Sequence, residues 1–243
     1  QRLVGNHQVI FNNPYFNGLK MEIEIQNNNH YVMQEGLAAL INTVTDDNGY
    51  ELPEYQNMED RIFIIADIGG GTTDISAAMN YNVVEELNAG LDKGILYAEQ
   101  NIIKTLKKEN PDYNINKTEL DYRIRKKEGI LIDRNKEIDV KDLALKEFQA
   151  LSDTISTEIN NLIESAPDYL KQKIAKIILT GGSSLLLSNF IEKEISDYNV
   201  ITSPNSLNDN VMGCFKATKM KMAEKEVAAG EDEAYEMAND SKQ

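Results

Sequence analysis

The sequence predicts an α/β fold, and three features indicate it. Ile62–Ala66 is a continuous apolar run, as expected for a central strand buried on both faces. Ile174–Leu179 is a second run of this kind, and it leads through glycines into a helical segment. Between them, apolar residues recur every three or four positions, the spacing of an amphipathic helix, as at Phe148, Leu151 and Ile155.

Composition excludes several classes of protein. The single Cys214 excludes an internal disulfide framework and a cysteine-ligated zinc site, and two histidines, His7 and His30, leave little room for a histidine metal cage or a Ser-His-Asp triad. The sequence has no run approaching the ~18 apolar residues of a membrane span. With 40 acidic and 25 basic residues among 243, the net charge of -15 repels nucleic-acid backbones.

The first third of the chain reads as β-rich. Val9–Phe11 and Tyr31–Met33 are short apolar runs, and Met21–Ile25 alternates with glutamates as a half-buried strand does. Alanine and leucine favour a helix over Glu35–Asn42, and Thr45–Asp60 is a polar loop.

After this loop, the chain is predicted to form a glycine-tipped hairpin and then helices. Gly69–Gly71 separate the strand Ile62–Ala66 from a second strand, Ile75–Met79. The remaining elements are a strand at Asn82–Leu87, helices at Leu91–Lys108 and Lys117–Lys127, a helix through Phe148–Leu162 that ends before Pro167, the strand Ile174–Leu179, a helix at Leu185–Ile195, a strand at Val200–Ile201 and a last helix at Leu207–Met222. The acidic stretch Glu224–Asp240 reads as a solvated or frayed tail.

The segment Asp67–Asp74 carries the clearest functional signal. Three consecutive glycines let a ligand approach the main chain, whose amides form a concave anion site, and Thr72 and Thr73 add hydroxyl donors. Asp67 and Asp74 flank this phosphate-type site, where a carboxylate calls for a cation such as Mg²⁺. The alternative is a tight hairpin whose glycines serve only geometry. A buried strand running straight into the carboxylate favours the functional interpretation.

These residues resemble a known superfamily. Asp67–Asp74 looks like the second phosphate loop of the actin, sugar-kinase and chaperone ATPases, and Ile178–Leu186 is similar to their adenosine motif. Asn208–Phe215 resembles the connecting segment, where a small residue lets two helices meet; an ordinary amphipathic helix is the alternative. Val32–Glu35 makes the ParM-type plasmid-segregation actins the nearest likeness. The resemblance implies an actin-like (ribonuclease H-like) mixed β-sheet flanked by helices, with part of the companion domain.

The resemblance also implies roles for individual residues. Glu35 would polarise the attacking water, although a glutamate that simply favours the helix dipole is the competing interpretation. Asp67 would hold the Mg²⁺ shell, and Asp74 would position a metal-bound water or tie the turn. Arg125 and Lys126 would lie near adenine and ribose, although a solvated helix face is the plainer interpretation. The β- and γ-phosphates would contact Gly69, Gly70, Gly71, Thr72 and Thr73, whereas the α-phosphate and adenosine would contact Gly181, Gly182 and Ser183.

The same resemblance predicts the domain organisation. Residues 1–34 would be a β-rich remnant of the N-terminal actin-like domain, 35–220 the nucleotide-binding second domain with a helical insert at about 91–165, and 221–243 an acidic, partly disordered tail. Nothing before Glu35 resembles the superfamily's first phosphate loop, an Asp-x-Gly strand. The chain is therefore expected to be a C-terminal fragment, or a protein that no longer hydrolyses nucleotide.

The implied function is that of a cytoplasmic ATPase, or GTPase, that forms filaments and moves plasmid DNA. Its partners would be copies of itself, arranged head-to-tail, and a DNA-binding adaptor protein, with no direct nucleic-acid or membrane binding. Hydrolysis would destabilise the filament. The alternatives are a chaperone-type ATPase or small-molecule kinase of the same superfamily, and a non-catalytic actin-like module that binds partners.

Overall fold

A computed structural model describes residues 5–11, 18–25, 32–126, 129–133 and 136–223. The chain divides into two compact units, Gln1–Gln34 and Glu35–Gln243. The predicted tail begins at residue 221, but the last helix continues to residue 223 and the rest of the tail lies outside the described residues.

The described part of the first unit is a hairpin of two antiparallel strands. Strand β1 covers Gly5–Phe11 and β2 covers Leu19–Ile25, with Gln8 opposite Glu22. Both include the strand residues predicted from the sequence. The predicted strand at Tyr31–Met33 is wrong at Val32 and Met33, which have no regular structure, and Tyr31 lies outside the described residues. Val32 is 91% exposed, so no packing against a neighbour fixes an extended conformation there.

The second unit is built on a mixed sheet, as predicted. Its central strands are β3 (Ile62–Ile68), β4 (Thr73–Met79) and β9 (Ile174–Thr180). β3 pairs in parallel with β9, which pairs in parallel with β10 (Val200–Thr202), whereas β3 and β4 form an antiparallel hairpin. Two short strands, β5 (Asn82–Val83) and β6 (Ala89–Leu91), pair antiparallel with β4.

Seven helices accompany these strands in the described residues, together with one further hairpin. The helices are α1 (Glu35–Val44), α2 (Ile95–Glu109), α3 (Lys117–Arg125), α4 (Lys141–Ser165), α5 (Asp168–Lys171), α6 (Ser184–Glu194) and α7 (209–223). The hairpin consists of β7 (Ile130–Asp133) and β8 (Lys136–Asp139).

Alternation along β3 separates two layers of core. Ile62 and Ile64 belong to the larger core, which includes buried residues of α2, α4 and α6, whereas Phe63 and Ile65 belong to a smaller one beneath α1. Because successive side chains of a strand point to opposite faces, a run that is apolar throughout buries both of its faces. The sheet therefore lies between two helical layers, as the sequence predicted.

Three predictions about the elements need correction. Only residues 82–83 of the predicted strand Asn82–Leu87 pair in the sheet, because a 3₁₀ turn, Glu85–Leu87, follows and buries Leu87. The helix predicted to begin at Leu91 begins at Ile95, since Leu91 pairs with Thr73 in the sheet. The predicted helical insert at about 91–165 also contains the β7–β8 hairpin, which was not predicted and whose Leu131 and Ile138 are buried in the core.

Candidate functional site

Two glycine turns meet at one edge of the sheet. The first glycine turn, Gly69–Thr72, joins β3 to β4, and the second glycine turn, Gly181–Ser183, follows β9. β3 and β9 are parallel neighbours, and Asp67 is in register with Thr180. The carboxyl ends of parallel strands meet at the same edge, where open α/β sheets bind ligands.

Hydrogen bonds join the two turns directly. The Ser183 amide donates to the Ile68 carbonyl at 3.1 Å, and the Ser183 hydroxyl donates to the Gly69 carbonyl at 3.2 Å. Gly181 has a φ of +85°, and a Cβ at this position would collide with the Asp67 carboxylate and the Ile68 main chain. The second turn therefore requires glycine for both its backbone conformation and its close approach to β3.

The first turn also anchors a helix while its tip stays open. The carbonyls of Gly69 and Gly70 accept hydrogen bonds from the Ile95 and Leu96 amides at 3.2 and 2.9 Å, which fixes the N-terminus of α2. Gly70 and Gly71 are exposed, and a Cβ at Gly71 would meet no atom within 4 Å. Gly71 therefore borders free space, and a Cβ at Gly70 would contact only the Leu96 side chain, at 3.6 Å.

Asp67 and Asp74 lie opposite each other across the hairpin. Directly opposite residues of an antiparallel pair share one face, so both carboxylates lie on the side of the sheet that α1 covers. Asp67 Oδ2 accepts a hydrogen bond from Asn210 Nδ2 of α7 at 2.9 Å, and Asp74 Oδ2 accepts one from the Thr72 hydroxyl at 3.2 Å. Sequence reasoning placed Asn210 in the connecting segment but gave it no role at the site.

Thr73 differs from the other residues of its motif. Its side chain is fully buried, and its hydroxyl donates to the Lys93 carbonyl at 2.9 Å. A ligand at the first turn would therefore meet the hydroxyl of Thr72, which is exposed, and not that of Thr73.

Arg125 is brought to the second turn, as its predicted role requires. Its Nη1 donates to the Gly182 carbonyl at 2.8 Å, and its Nε donates to Asp121 at 2.6 Å. Lys126 is exposed, and its Nζ lies 6.0 Å from the centre of the Tyr122 ring. The structure gives Lys126 no contact with either glycine turn.

Glu35 is exposed at the first position of α1. The next residue, Gly36, packs so closely on β4 that a Cβ would overlap the Ser76 hydroxyl. Ser76 and Asp74 are two residues apart and share a sheet face. Glu35 therefore begins the helix that covers the face carrying Asp67 and Asp74.

A buried carboxylate that sequence reasoning missed anchors α7 to this edge. Asp209 is fully buried and accepts hydrogen bonds from the Thr180 hydroxyl at 2.5 Å, from the Ser203 hydroxyl at 2.8 Å and from the Asn42 amide at 2.8 Å. These donors come from β9, the segment after β10, and α1. The signal available in the sequence was an acidic residue at a helix start, which is too common to single out.

A cavity of about 400 Å³ adjoins the second turn between α4 and α6. Its lining includes Ile124, which precedes Arg125, and Leu185 and Leu186, which follow the turn closely. Phe148 and Phe190 make its wall largely apolar, whereas Lys141 and Lys193 supply charge. An apolar cavity with a few polar groups is typical of a small-molecule site.

The residues described contain no cluster of three or more histidine, cysteine or acidic side chains that would hold a metal ion unaided. The pair Asp67 and Asp74 fits a cation such as Mg²⁺, which keeps several waters and takes one or two carboxylates together with phosphate oxygens. None of the helices in the described part of the chain has the length and apolarity needed to cross a bilayer.

Comparison with known families decides the relationship. The model of a family described as archaeal actin homologue MreB-like, C-terminal, matches residues 65–193. The chain belongs to this actin-like family. The match extends from β3 through both glycine turns to the end of α6, so it includes the edge where the turns meet. No curated protein matches the sequence.

Solved structures show the same actin-like fold. The actin-like protein Alp7A is 20% identical, with a TM-score of 0.67 over 96% of this chain and 62% of its own. Bacillus thuringiensis ParM with AMPPNP is 17% identical, with a TM-score of 0.64 over 90% of this chain and 62% of its own. A 15-stranded ParM filament from Clostridium botulinum is 19% identical, with a TM-score of 0.63 over 84% of this chain and 57% of its subunit.

The chain thus spans about three fifths of the length of these actin-like structures, between 57% and 62%. The resemblance to the actin-like superfamily is confirmed, and so is the predicted mixed α/β fold, which the ParM structures share. The roles of individual residues stay predictions.

Proposed function

We propose that the two glycine turns form half of an ATP site, and that the ATP-bound protein assembles head-to-tail into filaments. The observation that carries this proposal is the meeting of both turns with Asp67 at the carboxyl ends of two parallel strands. One solved actin-like relative holds AMPPNP, and another is a filament. GTP remains an alternative nucleotide, because no described contact distinguishes the two bases.

Each part of the edge suits one part of a nucleotide. The open tip at Gly70 and Gly71 admits the β- and γ-phosphates, and the Thr72 hydroxyl lies beside it. The second turn takes the α-phosphate, and Arg125 lies beside that turn at a position suited to the ribose. The apolar cavity that Leu185 and Ile124 line accepts the base. Asp67 would hold Mg²⁺, which, when bound, neutralises phosphate charge.

Glu35 is proposed to orient the water that attacks the γ-phosphate. The start of α1 lies on the face of the sheet that carries both aspartates, and a carboxylate there accepts a proton or hydrogen bond from water. We expect Glu35→Gln to lower single-turnover phosphate release by roughly 10²-fold, with unchanged ATP affinity. Glu54→Gln, also exposed and on the loop after α1, is the matched control. Release at the wild-type rate from Glu35→Gln would exclude this role.

In this proposal the filament is a cytoplasmic machine that moves plasmid DNA through an adaptor protein, and hydrolysis loosens it. The net charge of -15 disfavours direct contact with DNA. Residues 35–220 would be the nucleotide-binding actin-like domain, and residues 1–34 a remnant of the companion domain, because the chain spans only part of its actin-like relatives.

Light scattering recorded beside phosphate release tests the proposal. With ATP and Mg²⁺, light scattering by the purified protein should first rise as filaments form. It should then fall as phosphate is released and the filaments disassemble. Phosphate release without scattering would favour a chaperone-type ATPase or kinase, and the absence of both would favour a non-catalytic module.

Asp67→Asn is the diagnostic variant, because it keeps the side-chain shape and an oxygen for Asn210 but removes the charge. We expect it to abolish Mg²⁺-dependent phosphate release. Asp60→Asn is the matched control, since Asp60 is exposed just before the opposite end of β3. Equal loss in both variants would contradict a specific role for Asp67.

A further inference from the structure

A buried carboxyl group lies behind the site, on α2. Glu99 is 3% exposed, forms a hydrogen bond with Asp121 of α3, and has no described partner at Oε1. Two carboxyl groups share a hydrogen bond only when one of them carries the proton. Asp121 already accepts a hydrogen bond from the Arg125 guanidinium, whereas Glu99 is buried, so the proton belongs on Glu99. Burial, followed by Asp121, also raises the pKa of Glu99 to about 7.

Asp121 connects this proton to the second glycine turn. Its Oδ1 accepts Arg125 Nε at 2.6 Å, while Arg125 Nη1 donates to the Gly182 carbonyl at 2.8 Å. The guanidinium is planar and carries donors along several edges, so the carboxylate that binds Nε fixes the direction in which Nη1 points. Glu99, Asp121, Arg125 and Gly182 therefore form one continuous hydrogen-bonded path.

The other end of the path is tied to the first glycine turn. Ile95 and Leu96, at the start of α2, donate their amides to the Gly69 and Gly70 carbonyls. Glu99 lies one helical turn further along this helix. The path thus leaves one glycine turn through α2 and reaches the other through α3.

We propose that Glu99 is a positioning residue: its buried carboxyl group holds Asp121, and Asp121 in turn holds Arg125 against the second glycine turn. An effect of Glu99 on nucleotide affinity rests on the proposed function, whereas its effect on the order of the second glycine turn does not.

This arrangement makes the second turn sensitive to pH. The charged groups that act on Glu99 are Asp121, Arg125 and Lys117, all from α3. When Glu99 loses its proton, its hydrogen bond to Asp121 is lost, the two carboxylates repel, and Glu99 competes for the Arg125 guanidinium. The hydrogen bond from Arg125 to the Gly182 carbonyl is therefore stronger at pH 6 than at pH 8.

Amide exchange in the nucleotide-free protein tests the inference. Protection factors of residues 181–184, corrected for intrinsic exchange, should fall about tenfold between pH 6 and pH 8, as expected when one charge-assisted hydrogen bond weakens. Glu99→Gln cannot ionise but can still donate to Asp121, so its protection should stay at the pH 6 value. Glu109→Gln, an exposed glutamate at the end of α2, is the control and should behave as wild type.

A second variant keeps the test decisive if Glu99→Gln folds poorly. Asp121→Asn removes the charge that holds Arg125, so its second turn should be less protected at both pH values. The inference is overturned if Glu99→Gln and wild type lose protection equally, or if Asp121→Asn is protected as well as wild type.

Binding of a fluorescent ATP analogue with Mg²⁺ at the same two pH values separates this inference from the proposed function. At pH 8 wild type should bind the analogue about tenfold more weakly than Glu99→Gln does. The ionisation of the analogue itself cancels in this comparison, because both proteins meet the same ionised ligand. If the exchange results hold and the analogue does not bind, the nucleotide proposal fails and the positioning role stands. If the analogue binds but exchange shows no difference between the proteins, the positioning role fails alone.

Discussion

Glycines at the candidate site differ in what a side chain would meet. A Cβ at Gly94 would lie 2.5 Å from the Gly69 and Gly70 carbonyl oxygens, whereas a Cβ at Gly71 would meet nothing within 4 Å. Packing within the chain therefore requires glycine at residue 94 and leaves residue 71 unconstrained. Free space beside an exposed glycine tip is consistent with a ligand that approaches the backbone there.

This contrast gives a prediction that separates folding from binding. Gly71→Ala should leave the melting temperature unchanged and weaken ATP binding about tenfold, or about 1.4 kcal/mol, because the methyl group occupies phosphate space. Gly94→Ala should lower the melting temperature because its methyl group collides with the first turn. Thermal unfolding and titration with a fluorescent ATP analogue measure both. Wild-type affinity in Gly71→Ala would mean that no ligand approaches this glycine.

Glu99 gives a second residue-scale prediction, for stability against pH. The folded state raises its pKa from 4.5 to about 7, chiefly through burial, so the folded protein binds this proton more tightly than the unfolded chain. Its stabilising contribution is complete below about pH 4.5, declines as the pH rises to about 7 and is flat above. The decline is at most roughly 3–4 kcal/mol, at ~1.4 kcal/mol per pKa unit.

Urea unfolding at pH 5 and pH 8 measures this decline. Other acids titrate in the same range, so the relevant quantity is the difference in the free energy of unfolding between wild type and Glu99→Gln. The variant has no ionisable carboxyl group at this position. We expect the variant to gain stability relative to wild type as the pH rises. Parallel stability curves for the two proteins would show that Glu99 ionises normally.

At the scale of elements, α7 crosses α1 at unusually short range. A Cβ at Gly213 would overlap the Ala38 carbonyl, and the buried Lys216 donates to the Asn42 and Thr45 carbonyls at 3.0 and 2.8 Å near the end of α1. The lysine thus satisfies carbonyls that a helix end leaves without partners. This contact confirms that a small residue in the predicted connecting segment lets two helices meet closely.

Gly213→Ala should therefore destabilise the protein by about 1–3 kcal/mol, because extra volume in a packed contact forces the helices apart. Val211→Ala is the matched control on the same helix: Val211 is 72% exposed, and its truncation should change stability by less than about 0.5 kcal/mol. The free energy of unfolding in urea distinguishes them. A Gly213→Ala protein as stable as the control would mean that α1 and α7 do not pack this tightly in solution.

The elements also show which features the sequence could predict. The strands at Ile62 and Ile174 were predictable because long apolar runs need burial on both faces. The β7–β8 hairpin was missed because its four-residue strands alternate too briefly among charges to differ from a helix. Both glycine turns were visible as local patterns. The bond between Asn210 and Asp67 joins residues 143 positions apart, so only the folded chain reveals it.

At the scale of the whole molecule, charge is unevenly distributed along the chain. Residues 104–147 carry 12 basic and 10 acidic side chains, whereas the rest of the chain carries 13 and 30. The basic excess in that segment is only two charges, and some of its arginines are engaged, as Arg125 is with Asp121. Affinity for duplex DNA depends on the number of phosphates that lysine and arginine neutralise.

The protein is therefore expected not to bind duplex DNA by itself at physiological salt, with or without ATP. Fluorescence anisotropy of a labelled duplex should stay at the free-DNA value up to protein concentrations of about 10⁻⁴ M, the weak end of non-specific binding. Lowering the salt is the informative control, because counterion release strengthens any phosphate contact. Binding that grows as salt falls would reveal a segregated basic surface and remove the need for an adaptor. Anisotropy that stays flat at every salt concentration would agree with the proposal that a second protein makes the contact with DNA.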